Sequence, residues 1–429
     1  MVYVEYMAII EPIEDLNDKS FNPYLGDDII FGSNADPYSD VIEDIRKKGP
    51  VVEGSYRVAA GIPPSPGDEN HRQFMVLSYA ATEQILNDPI TFSNKAFLPT
   101  LGRGFGNTVT VMDPPEHTGA RKILQKAFRP TVVTAWGEDI VGPVIDELMA
   151  KFRHEGKAEL VEQFARPYPF NVIYRMLGLP QEDIEVFYKL AIAQIFFYPD
   201  DTNALDASGK LGRYFTNMIA RRRENPGSDV VSVVASAEVD GETLPDDVVI
   251  SFLRQLINAG GDTTFRTTTS LLTGLLTNPD QLAAVREDRS LIPQAVEEAL
   301  RWDGPVLISS RLTTKDCEIQ GVKVPANALL QMMYGAANHD PEVFENPNKF
   351  DIFRPRHRHF GFSFGAHNCL GQQLARLEMS RALNAVLDEL PNVRLDPAYP
   401  VPHMVGAMMR TPFGMRMLPI LLRVRGCIG

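Results

Sequence analysis

The sequence predicts a mainly α fold with a minor antiparallel β part, on three observations. Apolar residues recur at helical spacing over most of the chain from Pro114 onward. One such stretch, from Asp246 to about Thr277, is longer than an ordinary globular helix and so apolar that it must run through the interior. Strand-like runs are short and few, and they do not alternate with helices, which disfavours a doubly wound dinucleotide-binding sheet.

Element by element, Pro37 to Lys48 places Val41, Ile42 and Ile45 on one helical face and stops at Gly49-Pro50. Gln73 to Leu77 reads as a strand, after which Ser78 caps a short helix ending near Asn87. Phe92 to Met112 is a connection too long to be a simple turn, which suggests a functional loop. Helices follow over Thr134 to Phe152, Glu182 to Phe197 and Ala207 to Arg223, with a breaker-rich loop at Arg221 to Gly227. Beyond the long helix, two shorter ones end near Glu287 and Arg301. Glu318 to Met333 reads as strands with a turn at Gln320-Gly321. A last long helix covers Leu370 to Leu390. No repeat or linker divides the chain, so one domain is expected over 1–429, with about 1–20 loosely ordered.

The net charge of −13 repels phosphate backbones and makes nucleic acid an unexpected partner. No apolar run is long enough to span a bilayer, and Met1 to Ile10 lacks a basic leader, so a cytoplasmic protein is expected. Three cysteines, Cys317, Cys369 and Cys427, are too few for a disulfide framework in 429 residues. No paired-cysteine or HExxH spacing supports zinc.

Four constellations carry chemistry. The first is Phe362 to Gly371, FSFGAHNCLG, in which Gly365 and Gly371 flank a cysteine just before a helix. A helix N-terminus favours a thiolate, and glycines let the backbone approach a flat ligand closely. The second is Glu298-Ala-Leu-Arg301, an i,i+3 pair on one helix face. The third is Ala259 to Thr264, AGGDTT, inside the long helix. Two adjacent glycines there cost about 1 kcal/mol each against Ala and need a reason, such as a bulge that widens a groove over a ligand. The fourth is a set of cations: His117 and Arg121 at i,i+4, Arg311, and His367 two residues before the cysteine.

Phe362, Gly365, Cys369 and Gly371 fit the Phe-x-x-Gly-x-x-x-Cys-x-Gly signature at each fixed position, and through it the chain resembles the cytochrome P450 family. The other three constellations occur in family order across residues 113 to 376, between Asp113-Pro-Pro-Glu116 and Leu374-Ala-Arg376. The resemblance implies a P450 fold with heme b between the long central helix and the Cys-ligand helix. Cys369 is then the axial ligand to iron. His117, Arg121, Arg311 and His367 match positions that contact the heme propionates, while Ala259, Gly260, Phe362, Gly365 and Gly371 border the macrocycle. Asp262 and Thr263 map onto the acid–alcohol pair that supplies protons during oxygen activation, and Glu298 and Arg301 onto a buried structural pair.

The implied activity is a monooxygenase reaction: one oxygen atom of O2 enters a C–H bond of a small organic substrate. Electrons would come from a ferredoxin and its reductase, because the chain has no room for a flavin module. Lys122, Lys126, Arg129, Arg354, Arg356 and Arg358 are candidates for the docking surface, and a monomer is expected. Substrate-facing family positions map to the loop before Met112, the helix ahead of Ala259, Val306 and Leu307, and Met404 to Pro412. Gln255 and Asn258 share a face with Asp262. Their amides suggest a mostly apolar substrate with one hydrogen-bonding group, such as a terpenoid, steroid or alkyl-aromatic. The alternatives are a peroxide-driven peroxygenase and a heme-binding sensor without turnover.

Overall fold

The computed structural model describes residues 37–59, 68–195, 202–239, 241–398 and 423–425. The expected N-terminal segment, the Met404 to Pro412 stretch and Cys427 lie outside these. Helix α1 (Pro37–Arg46) buries Ile42 and Ile45 and is followed by strands β1 (Val51–Glu53) and β2 (Gln73–Val76). Helix α2 (Tyr79–Leu86) begins where Ser78 accepts the Ala81 N–H at 3.2 Å. Strand β3 (Phe92–Ser93) opens the long connection, which is a chain of short helical turns rather than open loop. Asp113 anchors it, accepting from Ser93 Oγ at 2.5 Å and from the Asn94 N–H at 2.9 Å.

The helical body holds α3 (Glu116–Leu124), α4 (Pro130–Trp136) and α5 (Gly142–Met149). The single helix expected over Thr134 to Phe152 is thus divided. A π-helical turn at Gly137–Val141 joins α4 to α5, beside Gly142 and Pro143. Proline cannot donate the backbone bond that would continue a regular helix. After β4 (Lys157–Glu159) come α6 (Pro167–Met176), α7 (Ile184–Ile195), α8 (Thr202–Glu224) and α9 (Val230–Ser236).

Helix α10 (Asp246–Thr277) has the bounds its periodicity predicts and is the axis of the core, packing against α6, α8, and the later α12 (Ile292–Trp302) and α13 (Gln372–Glu389). Between α10 and α12 lies α11 (Pro279–Glu287). The two glycines of α10 serve close packing. A Cβ on Gly260 would stand 2.3 Å from Ile173 Cδ1, and one on Gly261 would stand 2.5 Å from the Phe170 ring. The helix stays α-helical through both, so the expected bulge is corrected: glycine is required because α6 crosses there with no space for a methyl group.

The β part is mixed rather than purely antiparallel. Strands β5 (Ser309–Thr313) and β8 (Leu329–Met332) complete a five-stranded sheet ordered β1-β2-β8-β5-β3, in which β8 pairs with β2 in parallel. Parallel neighbours need a crossover, and here the whole helical body is that crossover. Between β5 and β8, β6 (Cys317–Ile319) and β7 (Val322–Val324) form the expected hairpin, with Gln320 and Gly321 both at positive φ as a tight two-residue turn demands. Strands β9 (Arg394–Leu395) and β10 (Arg423–Arg425) pair with β4 in a small antiparallel sheet. No described helix is long and apolar enough to cross a membrane.

Candidate active site

A cavity of about 350 Å3 lies between α10 and the N-terminal end of α13. Its floor is the loop that ends in Cys369. The Cys369 N–H donates to the Phe362 carbonyl at 2.8 Å and closes that loop. Ser363, held at positive φ, bonds through its hydroxyl to Tyr334 Oη at 2.9 Å. The accessible surface of Cys369 opens onto the cavity it lines, while dense surroundings push its thiol pKa up. Opposing that burial are the N–H groups of Gly371 and Gln372, at the start of α13, and the positive charges of Arg121 and Arg376.

The two signature glycines act differently. A Cβ on Gly371 would meet nothing within 4 Å, and the residue borders the cavity. Gly365 does not border it. Its φ of +72° and the Leu86 carbonyl, 2.2 Å from a would-be Cβ, require glycine for packing against α2. Its assignment to the cofactor surface is therefore corrected.

The predicted cations gather on one wall. His117 and His367 stack with ring centroids 3.9 Å apart, and His117 Nδ1 and Nε2 and His367 Nε2 are buried without a partner. Burial, followed by neighbouring positive charge, lowers His117 to about 4 and His367 to about 2, so both rings are neutral at neutral pH. Arg121 and Arg311 line the cavity beside them. Arg121 donates to the Asn368 carbonyl at 2.7 Å, and Arg311 to the Ser310 carbonyl at 2.7 Å; neither forms an ion pair with a described carboxylate. Orphaned ring nitrogens beside two guanidinium groups that lack a carboxylate partner among the described residues fit a cofactor that brings carboxylates of its own. His117 itself stands behind His367 rather than on the cavity surface.

The roof is α10, with Ala259, Gly260 and Thr263 facing the cavity. Thr263 Oγ1 donates to the Ala259 carbonyl at 2.7 Å, which leaves its lone pairs toward the cavity. Asp262 is elsewhere. It is fully buried, off the cavity surface, and held by Arg266 one turn on, with contacts of 2.7 and 2.8 Å. Sequence spacing put Asp262 on the face of Gln255 and Asn258, but the i,i+4 arginine turns its carboxylate inward. Gln255 does line the cavity, yet its amide is taken by Thr110, with Nε2 2.9 Å from Oγ1. Val306 lines the cavity and Leu307 does not. Leu307 packs with Ile42 and Leu77, and Ile308 takes the predicted place. Alternate residues of extended chain face opposite ways, so a one-residue error reverses the assignment.

Helix α12 grips the Cys369 loop with adjacent glutamates. Glu298 pairs with Arg301 at 2.8 and 2.7 Å, both buried, and also accepts the Asp351 N–H at 2.9 Å. Arg354 joins them, 3.4 Å from Glu298. It was expected on the docking surface, but its guanidinium turns back to backbone carbonyls of residues 345, 346 and 349. Glu297 binds Arg376 at 2.6 Å and His359 at 3.1 Å. Burial would raise Glu297, but these two partners outweigh it and hold it near 2.

Sequence reasoning missed Glu378, whose side chain borders the cavity from α13 with Oε2 unpartnered. Burial raises its pKa well above the carboxylate range. The signal was present: Leu374, Glu378 and Ala382 fall at i,i+4 spacing on a core face. A raised folded pKa means that only the unfolded state ionises above about 4.3, so stability falls as pH rises past that value. Glu378→Gln should remove that loss, and its thermal midpoint should exceed the parent's by a margin that widens from pH 5 to pH 8. A constant margin across that range would show that Glu378 is ionised in the fold.

Comparison with known proteins agrees with this geometry. Residues 179–397 match the family model for cytochrome P450. The chain is 32% identical to cytochrome P450-terp of a Pseudomonas species, over 79% of this chain and 83% of that one. It is 33% identical to the vitamin D3 dihydroxylase of Streptomyces griseolus, over 82% and 88%. Among solved structures, CYP109E1 of Bacillus megaterium in complex with testosterone superposes with a TM-score of 0.77 at 26% identity, covering 92% of this chain and all of that one. The chain belongs to the cytochrome P450 family, whose members are monooxygenases that bind heme b.

Proposed function

We propose that this protein hydroxylates a mostly apolar substrate of terpenoid, steroid or alkyl-aromatic type, with Cys369 as the thiolate ligand to the heme iron. The observation that carries the reading is one cavity with Cys369 at its floor, beneath two helix-start N–H groups, and an α10 roof of Ala259, Gly260 and Thr263. Bound heme supplies O2 activation, with electron density from the thiolate favouring O–O cleavage.

The chain's own residues orient and protonate. Arg121, Arg311 and His367 would hold the propionates, with His117 stacked behind His367 to support its ring. Thr263, its hydroxyl proton committed to Ala259, accepts a hydrogen bond from water in the groove and fixes where a proton can be delivered. Asp262 joins that delivery by exchanging its bond to Arg266 for one to solvent. Phe97, Leu101, Phe105 and Phe252 present an apolar wall that suits a hydrocarbon skeleton. The dihydroxylase of vitamin D3 and the testosterone-bound neighbour favour the same substrate class.

Electrons come from a ferredoxin-type donor. Lys122, Arg129, Arg356 and Arg358 are exposed and available to an acidic partner, Arg358 also pairing with Glu83 at 3.2 Å. The test is reconstitution of the holoenzyme with a surrogate ferredoxin, its reductase, NADPH and a panel of steroids and terpenoids. Product should form only with the complete electron chain and carry one atom from labelled O2. Asp262→Asn should lower turnover about 10²-fold without weakening substrate binding. Equal turnover with hydrogen peroxide alone would turn the reading to a peroxygenase.

A further inference from the structure

Asn258 stands one residue before Ala259 in the cavity roof, buried to 3% exposure. Its Nδ2 donates to Gln194 Oε1 at 3.1 Å. Gln194, fully buried on α7, donates its Nε2 to the Gly104 carbonyl at 3.4 Å, and the Ser208 hydroxyl donates to that same carbonyl. A carbonyl oxygen only accepts, so Gly104 turns the NH2 of Gln194 toward the loop and its oxygen toward Asn258. That oxygen in turn draws the NH2 of Asn258. Reversing the Asn258 amide would set two oxygens against each other. The relay thus leaves Asn258 Oδ1 as the free end, a buried acceptor with no hydrogen-bond partner. Gln255, the other roof amide, is satisfied by Thr110.

We infer that Asn258 Oδ1 selects substrates carrying a hydrogen-bond donor, a hydroxyl or N–H, and discriminates against analogues that offer only an acceptor at that position. The inference rests on the proposed reading of an apolar substrate with one polar group and gives that group its polarity. An acceptor-only ligand would bring a second oxygen against Oδ1 and leave both unpaired, which costs more than an absent contact. Preference for the donor should be about tenfold in affinity or greater.

The test uses the holoenzyme and matched sets of probes: a steroid alcohol with its ketone and methyl ether, and a monoterpenoid alcohol with its ketone and methyl ether. Binding is read from the spin-state shift of the Soret band. The parent should bind each alcohol at least about tenfold more tightly than its ketone or ether. Asn258→Leu should level the three. Gln194→Leu should do something a packing defect would not: it frees the Asn258 amide to turn its NH2 toward the cavity, so preference moves toward the ketone. Reduced carbon-monoxide spectra establish that each variant is intact, and Asn258→Ser replaces Asn258→Leu if the latter loses heme. Ketones bound as well as alcohols by the parent, or a donor preference surviving in Asn258→Leu, would overturn the role of Asn258 while leaving the substrate class standing. No shift with any probe would overturn the substrate class and this inference with it.

Discussion

Replacing Cys369 by Ser should leave a folded protein that has lost about 10³-fold or more of its hydroxylation activity, the scale on which removal of a group at the reacting centre registers. The change is nearly isosteric, and the N–H that closes the loop onto Phe362 belongs to the backbone, so the floor should keep its shape. What changes is the ligand atom. Two N–H groups at the start of α13 and the charges of Arg121 and Arg376 work against burial to favour a thiolate. An alcohol of far higher pKa stays protonated against the same forces. The reduced carbon-monoxide difference spectrum should lose the red-shifted Soret band characteristic of thiolate ligation while far-UV circular dichroism stays unchanged. Persistence of that band in Cys369→Ser would place the iron ligand elsewhere.

The helical frame was legible wherever one force dominated. Asp246–Thr277 could be bounded because an apolar period of 3.6 ran unbroken between two acidic residues at its start and Asn278-Pro279 at its end. Ser78 could be named as a cap because its hydroxyl can satisfy an otherwise unpaired N–H. The division of the Thr134 to Phe152 helix was written in Gly137, Gly142 and Pro143, signals that apolar periodicity overrode. The parallel β2–β8 pair was hidden for another reason: its strands lie some 250 residues apart, and pairing at that distance leaves no local trace.

Within the site, identity was more legible than direction. Cys369, Arg121, Arg311 and Thr263 could be picked out by their match to the positions of the family they resemble, but sequence does not say which way a side chain turns. Asp262 turned inward to Arg266, Arg354 turned to its own backbone, and Leu307 yielded its place to Ile308. Each outcome depends on a partner that the pattern did not weigh. Gln194 and Glu378 were passed over because a polar residue in an apolar helix face reads as noise until its neighbours are known.

Arg301 should be the least replaceable residue away from the cavity. Its guanidinium serves five acceptors: both oxygens of Glu298 and the carbonyls of Asn338, Pro347 and Lys349, at 2.7 to 3.2 Å. It also lies over the Phe344 ring, 5.3 Å from the centroid. Asn338 passes the restraint onward, accepting the Phe360 N–H at 2.8 Å and so fixing the entry to the Cys369 loop. A lysine has one nitrogen and cannot span this set. Arg301→Lys keeps the charge but leaves at least two of the five acceptors without a donor, at about 1–3 kcal/mol for each buried group unsatisfied, and heme incorporation should fall with it. Glu298→Gln should cost less, since the amide oxygen can still accept from Asp351 and one arm of Arg301. Arg354→Gln should cost least, because that contact is long and lies nearer the surface. Thermal midpoints of the three holoproteins, with heme occupancy from the pyridine hemochrome, should rank Arg301→Lys lowest and Arg354→Gln highest. The reverse order would mean that the loop below Cys369 is held from its outer side, through Arg354, rather than from α12.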